Sequence, residues 1–263
     1  MKKYLYIYKS ELMTSLGYTF DTIVGFIGYV IMIFIFLNLW NFIYSDPSEL
    51  IKGYTMNDMI WYVIMTEILW STVGSRKLCK QIANDVKSGA ITYKINKPYS
   101  YVEYLLFNHL GHVTIKFILI TILGMILGLI FLGSFPAINA LEFLGVILTS
   151  IFATVISILI VGAIGMLSFY IEDANPIYWI YSKLILVFGT IFPVEFFPGA
   201  IQTFLRYSPV YVVSYAPAKL FVNYSTSGLI EVLISQGIYM IILFLLTHFI
   251  YRKGVRKLNV NGG

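Results

Sequence analysis

Residues 107–132 read FNHLGHVTIKFILITILGMILGLIFL. A helix needs about 20 mostly apolar residues to cross a bilayer, because it rises about 1.5 Å per residue through a hydrocarbon core of about 30 Å. This stretch is long enough, and its one charged side chain is Lys116, near its beginning. It therefore predicts a membrane-spanning helix.

Five further stretches have a similar apolar character, and together they decide the fold class. They are residues 22–44, 57–75, 141–170, 177–197 and 229–251. The whole chain of 263 residues is 59% hydrophobic and 12% charged, whereas soluble domains are nearer half apolar and a quarter charged. The sequence predicts an all-α membrane protein with six transmembrane helices in a single domain, and it excludes an ordinary soluble fold.

The fifth stretch is interrupted, because Pro193 and Pro198 fall at and just beyond its end. The chain stays apolar well past this point, as far as Tyr215. A broken helix is tolerated at membrane depth only where protein or water satisfies its freed backbone groups. We therefore expect a partly re-entrant fifth span and an extracytoplasmic hairpin over residues 193–217.

The basic residues predict the orientation of the chain. Most of the eighteen Lys and Arg residues fall within residues 2–9, 76–98 and 252–263. Short loops rich in Lys and Arg stay on the cytoplasmic side of a membrane. The pattern predicts a multi-pass protein of the plasma membrane with both termini in the cytoplasm, a cytoplasmic loop at 76–98 and a cytoplasmic tail at 252–263.

Residues 1–20 precede the first predicted span and form a pattern of their own. Leu5, Tyr8, Leu12 and Leu16 recur at helical spacing. A helix with one apolar stripe next to a membrane is typical of a segment that lies in the interface. The alternative is a simple extension of the first span.

The net charge of +5 does not indicate a nucleic-acid partner. The basic residues lie between apolar stretches instead of forming one continuous patch, and no base-reading motif accompanies them. Cys79 is the only cysteine, which excludes an intrachain disulfide. His109 and His112 share a helix face, but Lys116 would repel a cation there, so no metal site is predicted.

No catalytic motif is present in the sequence. It contains neither a Gly-x-x-x-x-Gly-Lys-Ser/Thr phosphate-binding loop nor a Gly-x-Ser-x-Gly nucleophile elbow. Glu67 lies inside the second predicted span, where an ionisable group is costly and is a functional candidate by default. It is a candidate polar residue of a translocation path; the alternative is a polar contact between helices.

The 76–98 segment combines basic residues with a short apolar stripe. Ile82 and Val86 are four residues apart, and Ser88-Gly89 follows as a helix-ending signal. Beyond it, alternating Ile91, Tyr93 and Ile95 predict an extended turn. An amphipathic helix followed by an extended turn would suit docking into a groove on another protein. The alternative is a solvated linker.

Two local patterns resemble the membrane-spanning subunits of type-2 ATP-binding-cassette (ABC) exporters. Ile82-x-x-Asp85-x-x-x-Gly89-x-Ile91, followed by Lys97-Pro98, is similar to the coupling segment of that family. The stretch FPVEFFPG at residues 192–199 is similar to the family's broken fifth span and extracytoplasmic hairpin. The order of the six predicted spans resembles the same family over nearly the whole chain.

This resemblance implies a permease subunit of an exporter that moves a hydrophobic or amphipathic substrate out of the cytoplasm. It implies a second permease, identical or related, and cytoplasmic ATPase subunits that bind ATP and Mg, while this chain binds no cofactor and catalyses nothing. The implied ATPase-coupling residues are Ile82, Asp85, Val86, Lys87, Ser88, Gly89 and Ile91. The implied hairpin residues are Pro193, Glu195, Pro198 and Gly199.

Two other classes of function remain as alternatives. A membrane-embedded lipid-modifying enzyme would need acids or histidines gathered at headgroup depth, whereas Glu67, His109 and Glu172 are scattered along the chain. An ion-coupled secondary transporter would carry broken helices in both halves, whereas only the fifth span is clearly interrupted.

Overall fold

The computed structural model describes residues 2–17, 19–46, 48–73 and 76–261. Within these ranges the regular structure is helical, apart from one isolated bridge between Ile51 and Tyr54. In chain order the helices are α1 (Lys2–Gly17), α2 (Thr19–Ile43), α3 (Met56–Val73), α4 (Arg76–Lys87), α5 (Ile91–Ile95), α6 (Tyr101–Leu132), α7 (Ala140–Met166), α8 (Asn175–Ile185), α9 (Gly199–Arg206), α10 (Ala216–Val222) and α11 (Thr226–Asn261). The predicted all-α class is confirmed.

Four of the helices in the described ranges are long and apolar enough to cross a membrane. They cover Val24–Ile43, Tyr101–Leu132, Ala140–Phe169 and Thr226–Lys257. The second predicted span coincides with α3, although its predicted last residues, Gly74 and Ser75, lie outside the described residues. The result is a helical membrane protein in which each of the six predicted stretches overlaps a helix.

Contacts between helices show which residues lie at each of the two ends of the bundle. At one end, the last turn of α3 meets α6, because His109 Nε2 lies 2.9 Å from the carbonyl oxygen of Val73. Tyr101 and Tyr251 stack at the same end, with ring centroids 5.8 Å apart. This end carries most of the Lys and Arg residues, and we call it the basic end. At the opposite end, the Trp61 indole donates to the carbonyl of Ser134.

Small residues bring the long helices close together. Gly124 of α6 faces Tyr29 and Ile68, and Gly128 faces the ring of Trp61 so closely that a side chain at either position would clash. Close backbone approach over small residues is the usual way in which helices pack in lipid, where burial of apolar surface gives little driving force. The glycines of α6 therefore hold α2 and α3 against it.

The N-terminal helix α1 packs along the first half of α6. The Tyr8 hydroxyl donates to Thr114 Oγ1 at 3.2 Å, and Asn108 donates to Glu11 at 2.9 Å. Leu5 and Leu16, from the predicted apolar stripe, are 57% and 53% exposed. These leucines are available to lipid, and the interfacial position stays a prediction. Met1 and Tyr18 of the predicted 1–20 segment, and Gly262 and Gly263 of the predicted tail, lie outside the described residues.

The predicted extended turn after Gly89 is wrong. Residues Ile91–Ile95 form the short helix α5, with the Thr92 amide donating to the carbonyl of Gly89 at 3.0 Å. Ile91 and Ile95 are four residues apart, so they share a helix face as readily as they fit an alternating strand pattern. The short run contained too few residues to separate the two periods. Gly89 itself has a φ of 73°, as its helix-ending role requires.

The fifth predicted span ends earlier than residue 197. After α8, the helix continues as a π-helical stretch through Ile191, and Phe192 is extended, with φ −123° and ψ 132°. Pro193 explains this end, because a proline disfavours the helical conformation of the residue before it and has no amide hydrogen to continue the ladder.

Candidate functional site

Helix α4 lies across the end of α7 at the basic end and turns its apolar face inward. Ile82 and Val86 of α4 are buried, as is Ile91 of α5, and Ile82 packs onto Gly165 of α7. A Cβ atom at Gly165 would lie 2.9 Å from Ile82 Cδ1 and 3.1 Å from Ile82 Cβ, so a larger residue would push Ile82 out of its present position. The apolar stripe that the sequence suggested for docking into another protein is therefore used within the chain.

Asp85 ties three helices together. Its Oδ2 atom accepts from Lys94 Nζ of α5 at 2.6 Å and from the Tyr101 hydroxyl of α6 at 2.6 Å. The Asp85 side chain is only 13% exposed. Hydrogen bonds to an ionised acceptor are stronger than neutral ones, particularly with little competing water. The Asp85 carboxylate therefore fixes α4, α5 and the start of α6 as one unit.

The outward face of the 76–98 segment is polar, with one large aromatic side chain. Tyr93 is 79% exposed. Of the predicted coupling residues, Ile82, Val86 and Ile91 are buried, Asp85 is partly buried, and Lys87, Ser88 and Gly89 are exposed. The segment thus presents a polar outer surface on a rigid, apolar inner face.

Cys79 lies on the inner face of α4 and is fully buried. Burial, with a smaller contribution from the charge of Asp173, raises the pKa of the Cys79 thiol to about 11. The thiol therefore stays protonated near neutral pH and is a poor nucleophile.

Glu67 is enclosed within the bundle. The residue is 2% exposed, and its Oε1 atom has no hydrogen-bond partner in the described part of the chain. The next residue, Ile68, packs against Gly124 of α6. Burying an ionisable group with one unpaired oxygen lowers the stability of a membrane protein, so Glu67 is an energetically costly residue.

Glu195 forms the charged centre of the opposite end. Its carboxylate accepts from the Tyr54 hydroxyl at 3.1 Å, from Lys219 and from the Tyr215 hydroxyl. Burial alone would raise the pKa of the Glu195 carboxyl, but the hydrogen bonds from Lys219 and Tyr215, with the Lys219 charge, outweigh burial and lower it. The network joins the α2–α3 loop, the turn after α8 and helix α10.

The other predicted hairpin residues shape the backbone around Glu195. Pro193 precedes a 3₁₀ turn over Val194–Phe196, and Pro198 immediately precedes α9. The fixed φ of proline suits both helix starts. Gly199 is the first residue of α9 and is exposed.

The segment between α8 and α11 runs back alongside α11. Gln236 donates to the carbonyls of Val212 and Thr149, at 3.0 and 2.9 Å, and the Tyr239 hydroxyl donates to the carbonyl of Tyr207 at 2.6 Å. Tyr239 is about 20 Å along α11 from its start, at 1.5 Å per residue. Tyr207, which follows α9, therefore lies well down the length of the bundle.

One backbone carbonyl in the π-helical stretch after α8 accepts hydrogen bonds from two side chains. The Gly189 oxygen accepts from the Tyr62 hydroxyl at 2.7 Å and from Ser214 at 2.9 Å. A π-helix leaves such carbonyls free of the regular ladder, and these stretches often occur at functional sites. The Gly189 carbonyl joins α3, α8 and the segment before α10.

Sequence reasoning missed the partners of Glu195. Tyr54 is 141 residues from Glu195, and Tyr215 and Lys219 are 20 and 24 residues away. No helical or strand spacing relates residues this far apart, so no local pattern could have indicated them. Only the resemblance to a hairpin had drawn attention to Glu195.

These features define an α-helical membrane protein whose polar centres tie its helices together. Residues 27–262 match the family described as ABC-2 family transporter protein. The match covers nearly the whole chain, and the chain belongs to this family: it is a multi-pass membrane permease and a component of an ABC transporter. No curated protein matches the chain well enough to name a nearer relative.

Proposed function

We propose that this chain is one of a pair of permeases in an ABC exporter driven by separate cytoplasmic ATPase subunits, which bind the ATP and Mg. The cargo is a hydrophobic or amphipathic molecule that leaves the cytoplasm. The observation that carries the proposal is the α4–α5 segment, whose outer surface is exposed while Asp85 and Ile82 attach its inner face to α6 and α7. A displacement applied to this surface would move two long helices.

The proposal includes six spans, formed by the four long apolar helices together with α3 and the α8 helix extended to Ile191. The Lys and Arg residues of the basic end support its cytoplasmic position. The segment from α9 to α10 then re-enters the membrane from the outer side, supported by the bonds of Gln236 and Tyr239. Residues 212–218, just before and within α10, are buried, so the backbone of this part is enclosed by protein, as membrane depth requires.

Exposed apolar faces indicate where the second permease would contact this chain. Phe34 of α2, Trp179 of α8 and Phe204 of α9 are 60%, 61% and 72% exposed. Helix α3 is largely buried, so it contributes little to such a surface. We propose that α2 and α8 line the route between the two permeases, whether the partner is a second copy or a relative.

The test of the proposed function is the composition and activity of the purified complex. The full chain, extracted under mild conditions, should co-purify with a subunit that carries a phosphate-binding loop and hydrolyses ATP in a vanadate-sensitive way. Two permeases and two ATPases are expected per particle by mass measurement. A chain that moves cargo in liposomes without any ATPase would contradict the proposal.

Glu67 is proposed to take part in the transport cycle. Because its enclosed carboxylate lowers stability, Glu67→Leu should raise the midpoint of thermal unfolding, yet it should lower the ATPase turnover of the complex several-fold. The matched control is Thr66→Val, since the buried Thr66 hydroxyl bonds only locally, to the carbonyl of Val63. Normal turnover in Glu67→Leu would show that the position is structural only.

A further inference from the structure

A cleft lies at the basic end, between Glu103 near the beginning of α6 and the C-terminal half of α11. Its volume is about 510 Å³, and Glu103 of α6 lies on one wall. The other wall is formed by α11, from Phe244 to Arg256. Small-molecule sites in proteins typically have volumes of about 300–1,000 Å³, so the cleft is large enough for a polar headgroup.

The charges around the cleft are predominantly positive. Arg252, Lys253 and Arg256 line it, and all three are exposed. Arg252 and Arg256 are four residues apart on a helix, so their guanidinium groups can converge on one ligand. Guanidinium groups match the geometry of phosphate oxygens and bind them in pairs.

Glu103 is the one acid among the lining residues, and its carboxylate contacts a histidine. The carboxylate of Glu103 lies 3.4 Å from His248 Nε2. His248 Nδ1 lies 2.9 Å from the carbonyl oxygen of Phe244, which can only accept a hydrogen bond. Nδ1 therefore carries a hydrogen and fixes the ring, with Nε2 directed at the acid. The contact uses Oε1 of Glu103, whereas Oε2 is buried and has no hydrogen-bond partner among the described residues.

The cleft changes character along α11. One to two helical turns nearer the middle of the helix, Leu245 and Phe249 line it and are 62% and 56% exposed. Lys253 Nζ lies 4.5 Å above the Phe249 ring. A cationic upper part directly over an apolar lower part matches a molecule with an anionic head and hydrocarbon chains.

We propose that this cleft binds an anionic phospholipid, with its phosphate at Arg252 and Arg256 and its acyl chains along Leu245 and Phe249. Basic pockets between membrane helices at the membrane surface are suited to such headgroups. A free phosphate would leave the apolar lower part unused, which favours the lipid. The proposal is independent of the proposed transport function, because it needs neither the ATPase nor a cargo.

The experiment measures binding of fluorescent dioleoyl-phosphatidylglycerol to the purified full chain in neutral detergent micelles, with dioleoyl-phosphatidylcholine as the neutral lipid. Each cationic side chain near an anionic surface contributes roughly a factor of five. The double variant Arg252→Gln, Arg256→Gln should therefore bind phosphatidylglycerol about 25-fold more weakly. The control, Lys2→Gln with Lys9→Gln, removes the same charge from exposed residues of α1 and should lose less than about two-fold.

The outcomes separate the possible ligands. Preference for phosphatidylglycerol that is lost only in the arginine variant supports the proposal. Equal binding of both lipids, or equal loss in both double variants, would overturn it, and so would glycerol phosphate that competes as strongly as unlabelled phosphatidylglycerol, because the apolar lower part would then contribute nothing. Arg256→Gln alone, expected to lose about five-fold, replaces the double variant if that protein does not elute as a single helical species.

Discussion

Replacing Asp85 with alanine should abolish the ATP-driven movement of the permease while leaving the ATPase bound. The variant removes the acceptor shared by Lys94 and Tyr101. Hydrogen bonds to a charged group contribute about 1.5–3 kcal/mol each, so the loss of both is enough to release α5 from α4 and α6. The exposed surface around Tyr93 remains for docking, but its displacement no longer reaches α6.

The movement can be followed without knowing the cargo. A cysteine placed by Phe204→Cys lies on the exposed face of α9, and its labelling rate should change at least about ten-fold when ATP is added, a shift of roughly 1.4 kcal/mol. With Asp85→Ala this change should vanish, while ATP hydrolysis and co-purification persist. Glu172→Ala removes an exposed carboxylate and is the matched control. It should keep the ATP-dependent change in labelling rate. A normal labelling response in Asp85→Ala would contradict the coupling role.

The second large effect is expected at the opposite end, where Lys219→Met leaves the Glu195 carboxylate without its cation. Breaking a fully buried pair costs about 3–5 kcal/mol. The Lys219 and Glu195 side chains are 36% and 21% exposed, so solvent reduces the loss to about 2 kcal/mol. The midpoint of thermal unfolding should fall accordingly. The double variant Lys219→Met, Glu195→Gln should recover most of the loss, because it also removes the uncompensated charge.

The same network predicts a dependence of stability on pH. The pKa of Glu195 is lower in the folded protein than in the unfolded chain, so the folded state binds fewer protons near that pKa. The stabilisation is complete above the ordinary glutamate value of about 4.3 and is lost as the pH falls through the folded pKa. Unfolding midpoints measured from pH 6 downward should show this loss in the wild-type chain and a smaller one in Glu195→Gln. Parallel curves for the two proteins would contradict the network's contribution.

The helices were largely predictable because their signal is local. Residues 107–132 are apolar at nearly every position, and this property alone decides both the helix and its environment. The structure adds six residues at the beginning, since α6 starts at Tyr101. Those residues include Glu103 and lay outside the predicted span, but three of them, Tyr101, Val102 and Leu105, are buried against the rest of the bundle.

The sequence predicted where the candidate sites lie, but not which residues contact one another there. The sequence indicated the 76–98 segment, but it assigned Ile82 to an outside partner, whereas the small volume of Gly165 lets Ile82 pack against α7. Which face of an amphipathic helix meets its own chain depends on residues more than 80 positions away. Likewise, the lipid-binding cleft brings Glu103 of α6 together with residues 244–256 of α11, which are more than 140 positions away.

The most direct test of the coupling role of the 76–98 segment introduces cysteines for labelling. The native cysteine, Cys79, is buried and should not react with the label. A cysteine introduced by Tyr93→Cys, at a site that is 79% exposed, should crosslink to the ATPase subunit and should react with a membrane-impermeant maleimide only from the cytoplasmic side. A cysteine introduced by Leu50→Cys, at the opposite end, should react only from outside. Reaction of position 93 from outside, or an ATPase that never crosslinks to it in an active complex, would contradict the account.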